Sequence, residues 1–274
     1  MKKKMTVPDF AKYKAEGRKF TSLTAYDYTT ASIVNDSDTD VIIVGDSLGT
    51  VMLGYGSTVP VTMDEMLAHL RPTAKGAPQT FIVGDLPFGS YNADVADAIR
   101  NATLMMKAGA DAVKLEGGEF TETISAVVRA GIPVVAHLGL TPQTASQLGG
   151  YKVQGGSPAS AQKLVRAAQA VEAAGAFALV VECVPSGVAK AITRELTIPV
   201  LGIGAGVFVD CQVLVLQDML GMFGDFQPKF VKKYRDLRAE MVAALNEFHQ
   251  ETAAGAFPTA EYSFNAAVEG FPTE

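Results

Sequence analysis

Asp46, Asp85, Glu116, His137 and Glu182 each stand where a short apolar run stops. The run Val41–Val44, for example, gives way to Gly45, Asp46 and Ser47. Carboxylates gathered at one place repel one another and are costly to bury unpaired. A hard cation relieves that repulsion, and an oxygen-only ligand set suits Mg2+, which keeps waters or substrate oxygens beside a few carboxylates. Asp46, Asp85 and Glu116 are therefore candidate metal ligands, directly or through water. Three carboxylates do not choose among Mg2+, Mn2+ and Co2+. Lys114 lies two residues before Glu116, so both side chains point to the same face of a strand.

Blander readings stand beside this one. An aspartate after a strand often caps the next helix. Lys114 alone reads as a salt-bridge partner and His137 alone as a structural histidine. Cys183 follows Glu182 and points to the opposite face, which reads as core packing. The turn GIGAG, Gly202 to Gly206, is either a phosphate-binding loop with exposed amides or a tight turn.

The elements that must position these residues recur along the chain. MKAGADAVKLEGG, VRAGIPVVAHLGL and EAAGAFALVVECVP share one plan: a helix end closed by Ala-Gly, a short apolar strand and an ionisable residue. Between them, Ser157-Pro158 opens one helix, Asn92 is a candidate cap for another, and Thr62 with Glu65 forms a capping box. Strands are predicted at Thr21–Ala25, Val41–Val44, Phe81–Val83, Ala112–Leu115, Val134–Ala136, Ala178–Val181, Val200–Ile203 and Val213–Leu216. Strands alternating with helices pair in parallel through right-handed crossovers. Eight such units predict an α/β fold, a single (β/α)8 TIM barrel with a C-terminal helical extension. An open doubly wound sheet is the alternative. The expected organisation is one domain over 1–274, with a barrel core at about 20–225 and a C-terminal helix and tail at 226–274. Within that extension 230–248 is predicted helical and the tail after Gly255 irregular. In such a barrel the chemistry lies at the C-terminal strand ends.

Composition narrows the function classes. Lys plus Arg number 23 against 29 Asp plus Glu, a net charge of −6, which argues against nucleic acid as a partner. Lys2 to Lys4 read as a solvated start. No apolar run approaches the roughly 18 residues of a membrane span, and the N-terminus lacks the apolar core of a secretory signal. Two cysteines and three histidines build neither a disulfide framework nor a structural zinc site, and a reducing cytoplasm fits best.

Longer stretches carry a resemblance: LTAYD, VGDSLGTVMLGYGSTVPVTMDEM, VGDLPFGSY, VKLEGG, VVAHLGLTPQ, GGYKVQG, VVECVP and IPVLGIGAG, in order through most of residues 20 to 225. On these the chain resembles the ketopantoate hydroxymethyltransferases of pantothenate biosynthesis. The resemblance implies a (β/α)8 barrel that uses Mg2+ and 5,10-methylenetetrahydrofolate to convert 3-methyl-2-oxobutanoate into 2-dehydropantoate through a Mg-stabilised enolate. It implies a cytoplasmic homo-oligomer, a decamer of two stacked pentamers. By motif match, Asp46, Asp85 and Glu116 correspond to the metal site. Asp46, Ser47, Asp85 and Lys114 correspond to contacts with the oxoacid, His137 lines the site, and Glu182 is the catalytic base. The chain departs from the pattern near Asp38 and at Cys211, where the family usually has glycine, and at Gln217, where it often has histidine. Rival readings are a Mg2+-dependent lyase or mutase, a Schiff-base aldolase through Lys114, and a non-catalytic barrel that binds phosphate at GIGAG.

Overall fold

The computed structural model describes residues 2–223, 228–264, 266 and 268–271. Eight strands run β1 (Phe20–Thr24), β2 (Val41–Val44), β3 (Phe81–Asp85), β4 (Ala112–Glu116), β5 (Val134–Gly139), β6 (Ala178–Glu182), β7 (Val200–Ile203) and β8 (Cys211–Leu214). The helices are α1 (Val7–Ala15), α2 (Tyr28–Asn35), α3 (Leu48–Val51), α4 (Met63–Gly76), α5 (Val95–Ala108), α6 (Thr121–Arg129), α7 (Pro158–Ala173), α8 (Ser186–Glu195), α9 (Leu216–Met219) and α10 (Leu237–Ala253). The strands close in sequence order, each parallel to the next, and β1 pairs with β8 from Phe20 opposite Cys211 to Leu23 opposite Leu214. The sheet is thus a closed barrel rather than an open one. Its strands are near-continuous apolar runs because both faces are covered, and all four residues of β2 are buried.

Local signals set the helix ends. Thr62 and Glu65 close their capping box on α4, and Ser157 caps α7 ahead of Pro158. The cap of α5 is Asp94, which accepts from the amides of Ala96 and Asp97; Asn92 instead accepts from Gly89 N–H. Gly109, Gly131 and Gly175 take positive φ where the sequence places helix stops.

Four predicted strands, β3 to β6, extend one to three residues further than the apolar runs suggest. The parallel ladder carries the backbone through Asp85, Glu116, His137 and Glu182, because strand pairing is indifferent to the polarity of an inward side chain. The last strand begins two residues earlier than predicted, and Leu216 starts α9, its N–H donated to Thr24 Oγ1 at 3.1 Å.

The lower end of the barrel is sealed by α1. Phe10 meets Phe20, Phe81 and Phe177 edge-on, with ring centroids 5.5, 4.9 and 5.0 Å away. Lys14 on the same helix pairs with Asp210 at 3.0 Å.

The chain divides into two compact units, Met1–Leu216 with Pro228–Val231, and Gln217–Gln227 with Lys232–Glu274. The first holds the barrel. The second holds α10, capped by Asp236 and seven residues later in its start than predicted. No residue of α10 is buried, and Met241, Val242, Leu245 and Phe248 are exposed. The predicted boundary between barrel and extension, at 225 and 226, lies outside the described residues. Among the described residues no helix is long and apolar enough to cross a membrane.

Candidate active site

Register brings the ionisable side chains into layers. Asp85 at the end of β3 lies opposite Lys114 on β4, and Glu116 lies opposite His137 on β5. Side chains paired across a parallel ladder share a face, so these four project together into the mouth. Asp46, two residues past β2, joins them. One carboxylate oxygen from each of Asp46, Asp85 and Glu116 lies within 4.8 Å of the others, and all three residues are buried.

Lys114 Nζ donates to Asp85 Oδ1 at 2.7 Å and to Glu116 Oε1 at 3.3 Å. The Asp46 amide donates to Asp85 Oδ2 at 3.3 Å. His137 spans the space between two acids: Nδ1 is 3.1 Å from Glu116 Oε1, and Nε2 is 3.3 Å from Glu182 Oε2. The second contact is an ion-pair approach that lies off the line of a hydrogen bond. Ser47 is half-buried, its Oγ 2.8 Å from Tyr26 Oη.

These contacts distribute charge unevenly. Burial pushes the Asp46 carboxyl well above the usual range, and repulsion from Asp85 and Glu116 adds to it. Burial also raises Asp85, against the pull of Lys114. Burial would raise Glu116 too, but Lys114 and then His137 outweigh it and hold the group at about 2. For His137, burial and Lys114 oppose protonation, while the charge of Glu116, the hydrogen bond to it and the approach of Glu182 raise it to about 9. Lys114 resists the burial that would neutralise it, because Asp85, Glu116 and Asp46 surround it, and its pKa rises. One lysine thus serves three acids, and Asp46 is left short of positive charge.

The capping alternative does not describe Asp46 or Asp85. Among the described residues their carboxylates take hydrogen bonds from Gln143, Lys114 and the Asp46 amide, not from the first turn of a helix. Asp27, by contrast, is a helix cap, accepting from Thr30 N–H at 2.8 Å. In GIGAG, close packing explains two glycines: a Cβ at Gly202 would lie 2.8 Å from Val209, and one at Gly206 would lie 2.5 Å from Ser186.

Cys183 corrects the core-packing expectation. It is only half-buried, with φ of +48°, and burial followed by the charge of Glu182 pushes its thiol up to about 11. The chain turns out of β6 at this residue, so strand alternation no longer fixes which way its side chain faces. Across from it, Gly139 pairs with Glu182, and a Cβ at Gly139 would lie 2.2 Å from the Glu182 carbonyl oxygen.

Two residues of the site carry no charge and were not singled out by sequence. Gln143, in the 3-10 turn Pro142–Thr144 after β5, donates to Asp46 Oδ2 at 3.0 Å. Tyr91 donates to Gln143 Oε1 at 2.6 Å. Their one signal is position: each closes a stretch, VVAHLGLTPQ or VGDLPFGSY, that leads away from a strand end.

A family model described as ketopantoate hydroxymethyltransferase matches residues 4–260. The chain belongs to this family. Relatives named 3-methyl-2-oxobutanoate hydroxymethyltransferase include one from Heliobacterium modesticaldum, 53% identical over 266 residues and 96% of each chain. Another, from Moorella thermoacetica, is 51% identical over 263 residues, 95% of this chain and 98% of the relative. Solved structures similar in fold include phosphonopyruvate hydrolase in complex with oxalate and Mg2+, at a TM-score of 0.62, 16% identity, and coverage of 94% and 93%. A 2,3-dimethylmalate lyase has a TM-score of 0.59 at 15% identity, with coverage of 94% and 91%. At these identities the likeness to the hydrolase and the lyase concerns the barrel, whereas the ketopantoate hydroxymethyltransferase relatives match along nearly the whole chain.

Proposed function

We propose that this chain transfers a hydroxymethyl group from 5,10-methylenetetrahydrofolate to 3-methyl-2-oxobutanoate, forming 2-dehydropantoate and tetrahydrofolate with uptake of one water. The observation that carries the reading is the convergence of Asp46, Asp85, Glu116, Lys114 and Glu182 on one barrel mouth in a member of this family.

Asp46, Asp85 and Glu116 would hold Mg2+. Their oxygens lie within 4.8 Å of one another and all three residues are buried, so the donor set fits a hard cation. When bound, the ion supplies a Lewis acid that draws electrons from the keto group and acidifies the neighbouring C3–H.

The chain's own residues do the rest. Ser47 and Lys114 bind the oxoacid's oxygens, Lys114 as a fixed positive charge. Glu182, on β6 across the barrel from Asp46, takes the C3 proton. His137, in contact with Glu182, steadies that carboxylate against the metal-side Glu116. Water opens the methylene bridge of the folate, so that both carbon–nitrogen bonds break, tetrahydrofolate leaves with the protons and the one-carbon unit is released at the formaldehyde level. The C3 carbanion adds to that carbon, and its oxygen takes a proton to become the new hydroxyl. Two ion pairs keep Lys114 protonated, which counts against Schiff-base chemistry through its amine. Glu182→Gln should lose C3–H exchange of 3-methyl-2-oxobutanoate while still binding Mg2+ and the oxoacid. Exchange at the wild-type rate in that variant would remove Glu182 from the role of base, and exchange unaffected by EDTA would remove the metal.

The chain further acts as a cytoplasmic homo-oligomer, a decamer by family resemblance. The exposed apolar side chains of α10 support self-association, and sedimentation velocity reads its size.

A further inference from the structure

Gln143 touches two of the three acids at once. Its Nε2 donates to Asp46 Oδ2 and to the Leu86 carbonyl, each at 3.0 Å, and its backbone N–H donates to Glu116 Oε2 at 3.2 Å. Its Oε1 accepts from Tyr91 at 2.6 Å, and Tyr91 Oη itself accepts from the Glu116 amide at 3.2 Å. The side chains of Gln143 and Tyr91 are both buried.

This arrangement admits one amide orientation. The Leu86 carbonyl can only accept, so the nitrogen must face it and Asp46. The Tyr91 hydroxyl accepts from the Glu116 amide, and of the two oxygens its proton can reach, Gln143 Oε1 at 2.6 Å is closer than the Glu116 carbonyl at 3.2 Å. Among the described residues Gln143 is the one side chain that donates a hydrogen bond to the Asp46 carboxylate, since Lys114 is engaged by Asp85 and Glu116. A neutral amide can hold a carboxylate in place without adding a charge that would compete with a cation.

We propose that Gln143, oriented by Tyr91, is a positioning residue that sets the spacing of Asp46 and Glu116 for the cation. The inference rests on the reading of the triad as a metal site. It places the side-chain support for an acid that follows β2 in a turn after β5, so the ligand set is held together across the barrel mouth rather than strand by strand. Groups behind metal ligands typically contribute 10- to 100-fold in affinity.

The probe is Mn2+, with free ion counted by electron paramagnetic resonance in the intact protein. Gln143→Leu, which keeps the volume and loses every side-chain bond, should weaken Mn2+ binding about 10- to 100-fold and alter the spectrum of bound Mn2+. Circular dichroism should match wild type. Tyr91→Phe keeps Gln143 but frees its amide to rotate, and a smaller loss with the same spectral change is expected. It carries the test should Gln143→Leu not fold. Wild-type protein that takes up no Mn2+ would overturn the metal reading and this inference with it. Wild-type protein that binds Mn2+, beside variants that bind within twofold and give its spectrum, would overturn this inference alone.

Discussion

The two ends of the barrel bury ionisable groups on opposite terms. At the lower end one acid meets one cation: Asp210 accepts from Lys14 at 3.0 Å and from the Val200 amide at 2.9 Å, beneath a plug of aromatic rings around Phe10. At the upper end three buried acids share Lys114, and Asp46 depends on a glutamine. The lower arrangement is complete as it stands and serves stability. The upper one is left short of positive charge, which is the condition under which a cation is drawn in. Conserving energy at one end and withholding it at the other is the division of labour expected of a barrel whose chemistry lies at its C-terminal face.

Substitutions should separate the ends. Phe10→Ala removes three ring contacts from a residue that is 1% exposed, and should lower unfolding free energy in urea by about 3–5 kcal/mol. Mn2+ affinity of the folded fraction should stay at the wild-type value. Lys114→Met strips from the upper acids the one lysine that pairs with them among the described residues, and should cost about 3 kcal/mol at neutral pH. That deficit should shrink as pH falls, because protonation relieves Asp85 and Glu116; a deficit independent of pH would mean that Lys114 matters by packing alone. Asp46→Asn should act in the opposite direction, stabilising the metal-free protein by about 1–2 kcal/mol while losing Mn2+ binding. A loss of stability in that variant would show that Asp46 is already satisfied.

A further effect is a slope with pH. The pKa of His137 is raised from 6.5 to about 9 on folding, so its contribution is complete below 6.5 and is lost as pH rises through 9. Raised Asp46 acts with the same sign. Glu116, held at about 2, contributes above the ordinary carboxylate range and loses that contribution only in strong acid. Metal-free protein should therefore lose stability between pH 6.5 and 9, by up to about 1.4 kcal/mol per pH unit for one proton. Added Mn2+ should flatten the curve, and chemical denaturation across that range with and without the ion would test it.

Much of this was legible in the sequence because a charged residue at the end of an apolar run is conspicuous. Asp46, Asp85, Glu116 and Glu182 announce themselves that way, and Lys114 is two positions from Glu116 on one strand face. Gln143 and Tyr91 are uncharged and sit in turns, where side-chain direction follows no period. Their role exists only once β5 and the loop after β3 are folded against each other. The eighth strand was misplaced for a related reason: Gln212 is exposed, so β8 lacks the continuous apolar run that marks its neighbours. The start of α10 follows from Asp236, a cap whose signal was lost among the charges around it.

Gly139 carries a consequence for how this sequence can drift. A side chain there would meet the backbone of the strand that bears Glu182, which cannot swing aside as a flexible side chain would. Nor does its φ of +97° suit any other residue. Gly156, with nothing within 4 Å and an ordinary backbone, is free to wander. Descendants of this chain can therefore change Gly156 freely, while the seam between β5 and β6 stays fixed, and the Glu182 carboxylate, our proposed base, inherits its place from an atom that is missing.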